Sequence, residues 1–370
     1  MSMHRFAFII HPLDAKKDMA RKYPWARWLP ESVINLLLKH KKPMHVSEIK
    51  GIVSPTGAEA TGCFIGCPLT PKQMQTLPLE FVYDKIIQCG KLAEELGAEL
   101  IGLGAFTSVV GDGGITIANN LKAAVTTGNS YTVATALEGT LKAAELMDID
   151  IPNATVAVVG ATGSIGRTCA LVMAAQAGKI ILIGRSQEKL AALEAEVRGS
   201  ARGEVVIETD VNHGLKDADV VITVTSAGMP IIHPQHLKSG AVVCDVARPR
   251  DVSKRVVKER NDVLVIEGGV VQAPGNVEFN FNFGFPPGTA YACMSETMIL
   301  ALEGCIENFT LGKEVSIEQV NEITTLAKKH GFQLAGFRSF EKALTEQQIE
   351  TVRNNARNKK PKLIANDLVN

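Results

Sequence analysis

Three glycines at a spacing of three residues follow an apolar run in the segment Thr155–Gly166 (TVAVVGATGSIG). In this order, Gly160 permits a sharp exit from a strand, Gly163 lets the backbone approach a pyrophosphate, and Gly166 permits close packing of a helix on the sheet. The pattern predicts a dinucleotide-binding turn, with a phosphate-free turn as the alternative. The candidate cofactor-binding residues of this turn are Gly160, Thr162, Gly163, Ser164, Ile165 and Gly166.

The next apolar run ends at positions 183–186 (IGRS), where a protein that prefers NADH usually carries an acidic residue for the ribose hydroxyls. Here the side chains are a guanidinium and a hydroxyl, those of Arg185 and Ser186, and both can bind a 2′-phosphate. The sequence therefore predicts NADPH as the cofactor. The alternative interpretation of Arg185 is a surface residue at a strand end. Residues at the ends of later apolar runs complete the predicted site: Thr225, Ser226, Gly268 and Gly269.

Cys293 is the candidate nucleophile. It follows the segment 285–288 (FPPG), whose prolines and glycine predict that a new helix begins shortly afterwards, with Cys293 in its first turn. Backbone N–H groups and the positive dipole end of a helix can lower the pKa of such a thiol and favour the nucleophilic thiolate. The alternative is a small buried apolar residue, which is the commoner role of a cysteine in a helix.

An attack on a carbonyl carbon also needs hydrogen-bond donors for the oxyanion. The segment 126–130 (TTGNS) is rich in hydroxyl and amide groups, and its candidate donors are Thr127, Asn129 and Ser130. A second interpretation stays open, because Asn129 or Ser130 would serve equally well as the N-cap of a following helix.

Other chemically active side chains show no informative spacing. Cys63 and Cys67 lie four residues apart, but no second Cys or His pair accompanies them, so packing is expected and no metal site is predicted. His213, His233 and His236 fall in predicted loops, and nothing in their spacing identifies one of them as a proton donor.

The second half of the chain carries six short apolar runs, with helix-compatible sequence in at least the first two gaps. This pattern is typical of a parallel sheet with crossover helices, so the predicted class is α/β, with a Rossmann-like doubly wound sheet. The predicted strands are Thr155–Val159, Lys179–Ile183, Val205–Glu208, Val220–Val224, Ala241–Asp245 and Val263–Ile266.

An N-terminal α/β substrate domain is expected to precede this sheet. Its predicted elements are a strand Arg5–Ile10, a strand pair around the turn 54–57, a helix Leu77–Leu96, a strand Glu99–Leu103 and a helix Tyr131–Met147. After Gly288 we expect a helix to about Asn308, another over Ile317–His330, and a polar tail that is either a helix or a mobile arm. The predicted domain limits are 1–150, 151–287 for the NADP(H)-binding domain, 288–337 for helices packed on the N-terminal domain, and 338–370 for a basic extension.

Composition excludes several classes. Apolar side chains make up 46% of the 370 residues, which suits a large folded core and excludes disorder. No apolar run is long enough for a membrane span, the seven cysteines are scattered, and we expect a cytoplasmic protein. The 39 basic and 39 acidic residues balance, so nucleic-acid binding is not expected, although the first fifty residues and the segment 351–362 are both basic. The sequence does not fix whether the protein forms a homo-oligomer.

Several segments taken together resemble the aldehyde-forming long-chain fatty acyl-ACP reductases of the cyanobacterial type. The resemblance runs in the same order from about Arg5 to Gln333. The segments that carry it are Gly104–Val109 (GAFTSV), Thr126–Thr132 (TTGNSYT), Val156–Gly166 (VAVVGATGSIG), Gly268–Gln272 (GGVVQ) and Ala292–Gly304 (ACMSETMILALEG).

This resemblance implies an activity. The cysteine at the position of Cys293 would attack an acyl thioester carried by acyl carrier protein or coenzyme A, and NADPH would reduce the acyl-enzyme to a fatty aldehyde. The acidic carrier would then make the basic ends candidate docking surfaces, with Arg21, Lys22 and Arg27 at the N-terminal end.

The sequence departs from the family pattern in its N-terminal region, in the segment Asn276–Pro287 and beyond about Phe337, which leaves chain length and carrier preference open. Two other functions stay open. One is an NADP-dependent dehydrogenase of a small polar substrate, similar to the shikimate dehydrogenases, in which Lys122 is the one loosely suitable lysine. The other is a non-catalytic NADP(H)-binding protein.

Overall fold

The computed structural model describes residues 3–12, 15, 16, 19, 24–282 and 284–359. The first of two six-stranded sheets has the order β13-β2-β3-β1-β4-β5. Strands β3, β1, β4 and β5 run parallel, whereas β2 and β13 are antiparallel to their neighbours. These strands are β1 (His4–Ile10), β2 (Met44–Val53), β3 (Glu59–Gly66), β4 (Leu100–Leu103), β5 (Ala124–Thr126) and β13 (Gly275–Glu278).

The second sheet has the order β11-β10-β9-β6-β7-β8, and every neighbouring pair is parallel. Because the winding reverses between β6 and β9, a crevice forms outside the carboxyl ends of these two strands, where such sheets bind their ligands. The predicted Rossmann-like class is confirmed. The strands are β6 (Thr155–Val159), β7 (Lys179–Ile183), β8 (Glu204–Glu208), β9 (Val220–Thr223), β10 (Val242–Asp245) and β11 (Leu264–Glu267).

Helices cover both sheets. They are α1 (Glu31–His40), α2 (Pro71–Thr76), α3 (Leu79–Glu95), α4 (Ile115–Ala118), α5 (Asn129–Leu146), α6 (Ser164–Ala174), α7 (Gln187–Arg198), α8 (Val211–Leu215), α9 (Arg255–Glu259), α10 (Ala292–Glu303), α11 (Ile317–His330) and α12 (Glu346–Lys359). Short strands are β12 (Val270–Gln272), β14 (Thr289–Tyr291), β15 (Gln333–Leu334), β16 (Arg338–Ser339) and β17 (Lys342–Ala343). Among the described residues, 3-10 helices lie at Pro24–Trp28, Ala105–Ser108, Ile151–Asn153 and Pro234–His236.

Two helices join the sheets. Helix α5 packs with its alanines, among them Ala136 and Ala143, into the core of the second sheet. Helix α10 packs on the first sheet through Met298 and Leu300. It comes close to β4 because Gly102 has no side chain: a Cβ there would lie 2.1 Å from the Thr297 hydroxyl oxygen. The N-terminus of α10 is thereby held between the two halves of the molecule.

The predicted strands and long helices are present, and their limits agree within a few residues. The helix expected from Gly288 to about Asn308 is shorter. Residues Thr289–Tyr291 pair with β12 instead, and the helix ends before Gly304, whose left-handed backbone (φ 76°) closes it. The described part of the tail forms helix α12, which packs through Ile349 and Ala356 on the second core, so the helix interpretation is the correct one there.

The predicted domain limits stay predictions. The strand order adds one detail, because the chain returns to the first sheet at Gly275–Glu278, within the span expected for the cofactor domain. Two predicted docking residues, Arg21 and Lys22, lie outside the described residues, as does the end of the extension from position 360 onward.

Candidate active site

The glycine turn after β6 has the geometry that a pyrophosphate needs. Gly160 is left-handed (φ 82°), and its N–H donates to the Ile183 carbonyl oxygen at 2.9 Å. A Cβ on Gly166 would lie 2.2 Å from the Gly160 oxygen, so only glycine lets α6 start this close to the strand. A Cβ on Gly163 would meet only that oxygen, at 3.3 Å, and would otherwise point into open space. This turn therefore fits the phosphates of a dinucleotide.

The carboxyl end of β7 presents the predicted 2′-phosphate residues. Arg185 is exposed there. Ser186 is the N-cap of α7, since its hydroxyl oxygen accepts from the Lys189 N–H at 3.3 Å. The Ser186 hydroxyl thus has a local structural role, and its hydrogen stays available as a donor.

The loop after β9 is held by a residue that the sequence did not single out. Asp251 is fully buried and accepts from the Thr225 hydroxyl at 2.6 Å, the Thr225 N–H at 2.8 Å and the Thr223 hydroxyl at 2.7 Å. Burial raises the pKa of Asp251 above its ordinary value, and these hydrogen bonds oppose that shift. No motif marks this aspartate, because its partners are distant in sequence.

One cavity of about 1240 Å³ brings most of the predicted residues together. It is lined from the cofactor half by Thr162, Gly163, Ser164, Ile165, Thr225, Ser226, Gly268 and Gly269, and from the other half by Asn129 and Cys293. Six predicted residues do not line it: Gly160, Gly166, Arg185, Ser186, Thr127 and Ser130. The candidate nucleophile therefore shares a space with the dinucleotide turn.

Cys293 is the second residue of α10 and is half-buried. The helix begins where the Ala292 N–H donates to the Gly269 carbonyl oxygen at 2.8 Å, which ties it to the end of the second sheet. From the other side, Gly128 approaches closely: a Cβ there would lie 2.4 Å from the Cys293 Cβ. Gly269 and Gly128 both have a left-handed backbone, a conformation that glycine adopts without strain.

The expected lowering of the Cys293 pKa is wrong. Burial raises the pKa of this thiol to about 11, because desolvation disfavours the charged thiolate. Backbone N–H groups of Ala105 and Met294 act in the opposite direction, as predicted for a helix start, but they do not offset burial. The nearby Glu296 raises the pKa further.

The predicted oxyanion loop lies beside the cavity, and two of its side chains are engaged elsewhere. The Thr127 hydroxyl donates to the Thr310 carbonyl oxygen at 2.5 Å, and the Ser130 hydroxyl lies 2.5 Å from the Thr310 hydroxyl. The N-cap interpretation is wrong, because Gly128 occupies that position and α5 starts at Asn129. The oxyanion interpretation stays a prediction. Asn129 alone among the three lines the cavity.

Two groups near Cys293 were missed in the sequence. Glu296 is fully buried; it accepts from the Thr126 hydroxyl at 2.5 Å and the Tyr131 N–H at 2.8 Å, and burial raises its pKa. A glutamate in the first half of a helix that is mostly apolar was the available signal. His11 lines the cavity, and its Nε2 accepts from the Phe106 N–H at 3.1 Å, which orients the turn that carries the Ala105 N–H.

The remaining candidates lie away from the site. His213 pairs with Glu208 at 2.5 Å, while His233 and His236 contact each other with ring centroids 5.4 Å apart. Within the described part of the chain, no group of His, Cys, Asp and Glu could hold a metal ion, and Cys63 and Cys67 are buried. Across the same residues, none of the helices is both long and apolar enough to span a bilayer.

The fold and the turn define a nicotinamide-dependent oxidoreductase. A model of the shikimate / quinate 5-dehydrogenase family matches residues 142–267. The long-chain acyl-(acyl-carrier-protein) reductase of Synechococcus elongatus is 30% identical over 338 residues, which is 87% of this chain and 95% of that protein. The chain belongs to the family of this acyl-ACP reductase, so the resemblance deduced from the motifs is confirmed.

Other similarities are narrower. The aminotransferase PigE of a Serratia species is 32% identical over 356 residues, which cover 93% of this chain but only 41% of PigE. The nucleotide-binding domain of glutamyl-tRNA reductase from Thermoplasma volcanium matches with a TM-score of 0.27 at 20% identity over 36% of this chain and 84% of that one, and it adds no argument. NADPH as the cofactor of the second sheet is confirmed, whereas the residues that bind it stay predictions.

The raised pKa predicts how Cys293 reacts with iodoacetamide. Only the thiolate is nucleophilic, and its fraction is small at pH 7, so the alkylation rate should rise about tenfold per pH unit from 7 to 10 without a plateau. Peptide mass spectrometry measures this rate, and a Cys305→Ala background removes the other half-buried cysteine. A plateau near pH 8 would contradict the raised pKa.

Proposed function

We propose that this protein reduces a fatty acyl thioester, carried by acyl carrier protein or coenzyme A, to a fatty aldehyde with NADPH through an acyl-enzyme on Cys293. The observation that carries the proposal is the shared cavity, which places the Cys293 thiol and the dinucleotide turn in one space. Membership in the acyl-ACP reductase family supports the same reaction.

The cavity walls suit an aliphatic chain. Toward the first sheet they consist largely of apolar side chains, among them Phe8, Ile9, Met44, Val46, Phe64 and Phe281. Such walls gain free energy by covering methylene groups, about 0.8 kcal/mol for each CH₂ removed from water. A small polar substrate would leave these walls without a partner.

The first step is a thiol–thioester exchange. The Cys293 sulfur attacks the carbonyl carbon, the bond from that carbon to the pantetheine sulfur breaks, and the pantetheine sulfur takes up the proton that Cys293 loses. Because the Cys293 pKa is raised, the resting group is the thiol, and its proton must leave as the new bond forms. The N–H groups of Ala105 and Met294 beside the sulfur are candidate donors to the oxyanion.

The second step releases the product. The glycine turn and the loops at Thr225 and Gly268 would hold NADPH, and the bound cofactor would supply the hydride that takes the acyl group to the aldehyde level. The bond from carbon to the Cys293 sulfur then breaks, the carbonyl re-forms, and the sulfur leaves with the bonding electron pair. Protonation of that sulfur restores the starting thiol.

The dehydrogenase alternative loses its lysine. Lys122 is exposed and does not line the cavity, so it cannot act on a substrate bound beside the cofactor turn. The matched family model covers only the cofactor half, 142–267, and so carries no information about the substrate. The non-catalytic alternative predicts that the unchanged protein forms no aldehyde from any acyl thioester, and the activity assay described below tests this.

The basic tail is a weaker docking surface than its composition indicates. Arg353, Arg357 and Lys359 lie on α12 and pair with Glu350, Asp148 and Asp262 at 3.8, 2.6 and 3.3 Å. These charges are therefore partly neutralised within the chain. Lys360 and Lys362 lie outside the described residues.

Replacing Cys293 tests the nucleophile. NADPH consumption and aldehyde formation are followed together on acyl-CoA and acyl-ACP from octanoyl to octadecanoyl. Cys293→Ala should lower turnover by roughly three orders of magnitude or more, because the covalent route is lost. Cys305→Ala is the matched control and should stay near the unchanged protein. Normal aldehyde formation by Cys293→Ala would reject the acyl-enzyme, and no turnover by the unchanged protein on any thioester would reject the function.

Replacing Arg185 tests the 2′-phosphate contact. Arg185→Ala should raise the KM for NADPH about tenfold or more and leave the KM for NADH unchanged, because only NADPH carries the 2′-phosphate. Arg202→Ala, at another exposed arginine just before β8 of the same sheet, is the control. Equal changes in both KM values would mean that Arg185 does not bind this phosphate.

A further inference from the structure

An exposed apolar patch lies on α1 and on the 3-10 helix Pro24–Trp28 before it. We call it the Trp–Leu surface, and it consists of Trp25, Trp28, Val33, Leu36 and Leu37. The exposed fractions are 78% for Trp28, 59% for Leu36 and 55% for Trp25. The chain contains two tryptophans, and both are on this surface. Large apolar side chains that are exposed near one another in the chain indicate a binding surface.

The core of the protein does not explain this patch. On the inner side of α1, Ile34 and Leu38 are buried in a small cluster with Ala26. Val33, Leu36 and Leu37 follow helical spacing on another side of the same helix and are exposed. A helix on the surface of a protein normally carries polar residues on its outer side. Helix α1 is therefore apolar on two sides, and among the residues that the structure describes only the side with Ile34 and Leu38 is buried.

The stretch of chain that carries the patch is rich in cations. Residues 24–42 contain Arg27, Lys39, Lys41 and Lys42 but a single acid, Glu31. The Arg27 guanidinium carbon lies 5.3 Å from the Trp28 ring centroid. An apolar face with tryptophan and leucine, bordered by lysine and arginine, is the composition of helices that lie in the headgroup region of a bilayer. The cations favour a bilayer that carries anionic lipids.

Helix α1 also borders the cavity, through its inner side. Leu38, from the inner side of α1, lines it together with Lys41 and Lys42 from the loop that follows. The same cavity contains Cys293. An aliphatic molecule that leaves the cavity beside α1 would reach the partner that is bound to the Trp–Leu surface.

We propose that the Trp–Leu surface binds the surface of an anionic lipid bilayer, with Trp25 and Trp28 in the interfacial region and the lysines on the headgroups. An acidic carrier protein would also be attracted by the cations. The bilayer accounts better for the two exposed tryptophans, because an indole places its apolar ring and its N–H group on the two sides of a bilayer interface. Lipid binding is measured without turnover, so its failure and that of the proposed reaction are distinguishable.

Intrinsic fluorescence reports this surface directly, because tryptophan emission comes from Trp25 and Trp28 alone. The unchanged protein is titrated with vesicles of phosphatidylcholine, or of equal parts phosphatidylcholine and phosphatidylglycerol. Binding should shift the emission to the blue on the anionic vesicles, and lipids brominated on their acyl chains should quench it. An unshifted, unquenched emission on anionic vesicles would overturn the proposal without the use of any variant.

A matched pair of variants places the binding on α1. Leu36→Gln with Leu37→Gln should weaken vesicle binding about tenfold or more, because two apolar side chains no longer enter the interface. Leu79→Gln with Leu146→Gln changes two leucines that are 46% and 40% exposed elsewhere and should leave binding unchanged. Equal loss in both pairs would overturn the proposal. A second result would also overturn it. If the unchanged protein does not bind vesicles and the α1 pair raises the KM for acyl-ACP but not for acyl-CoA, the surface binds a carrier protein.

Discussion

The position at which helix α10 begins determines the site. The Ala292 N–H bonds to the Gly269 carbonyl oxygen at 2.8 Å, and this joins the helix to the cofactor sheet. Gly128 lets the chain of the first half pass directly beside Cys293. Glu296 holds this segment in place, because its carboxylate accepts hydrogen bonds from the Thr126 hydroxyl and the Tyr131 N–H. Cys293 is thus held from both halves, which is why it shares one cavity with the dinucleotide turn.

This arrangement buries the Cys293 sulfur and the Glu296 carboxylate. It raises the pKa values of Cys293 and Glu296, and the helix start that should favour a thiolate does not outweigh the loss of hydration. The same low hydration around the sulfur would suit an acyl-enzyme, because a poorly hydrated thioester is protected from hydrolysis. In the proposed mechanism, the neutral resting thiol and the protection of the acyl-enzyme would have one physical cause.

Local signals allowed much of the fold to be predicted. Apolar runs located the strands, and the spacing of Gly160, Gly163 and Gly166 predicted the turn, because each glycine answers a backbone requirement visible within a few residues. Contacts between distant segments were not predictable. Thr310 engages the hydroxyls of Thr127 and Ser130, and Asp251 holds Thr225, across separations that no motif records. The expected direction of the Cys293 pKa shift was wrong for the same reason, because desolvation depends on what the whole fold places around the sulfur.

The central claim is that Cys293 carries the acyl group beside the bound cofactor. Intact-protein mass spectrometry after mixing with a long-chain acyl-CoA tests this most directly. Without NADPH, the protein should gain the mass of one acyl group, located on the peptide that contains Cys293, and adding NADPH should remove that mass while aldehyde appears. An unmodified protein that nevertheless forms aldehyde, or an acyl group on another residue that NADPH discharges, would contradict the account.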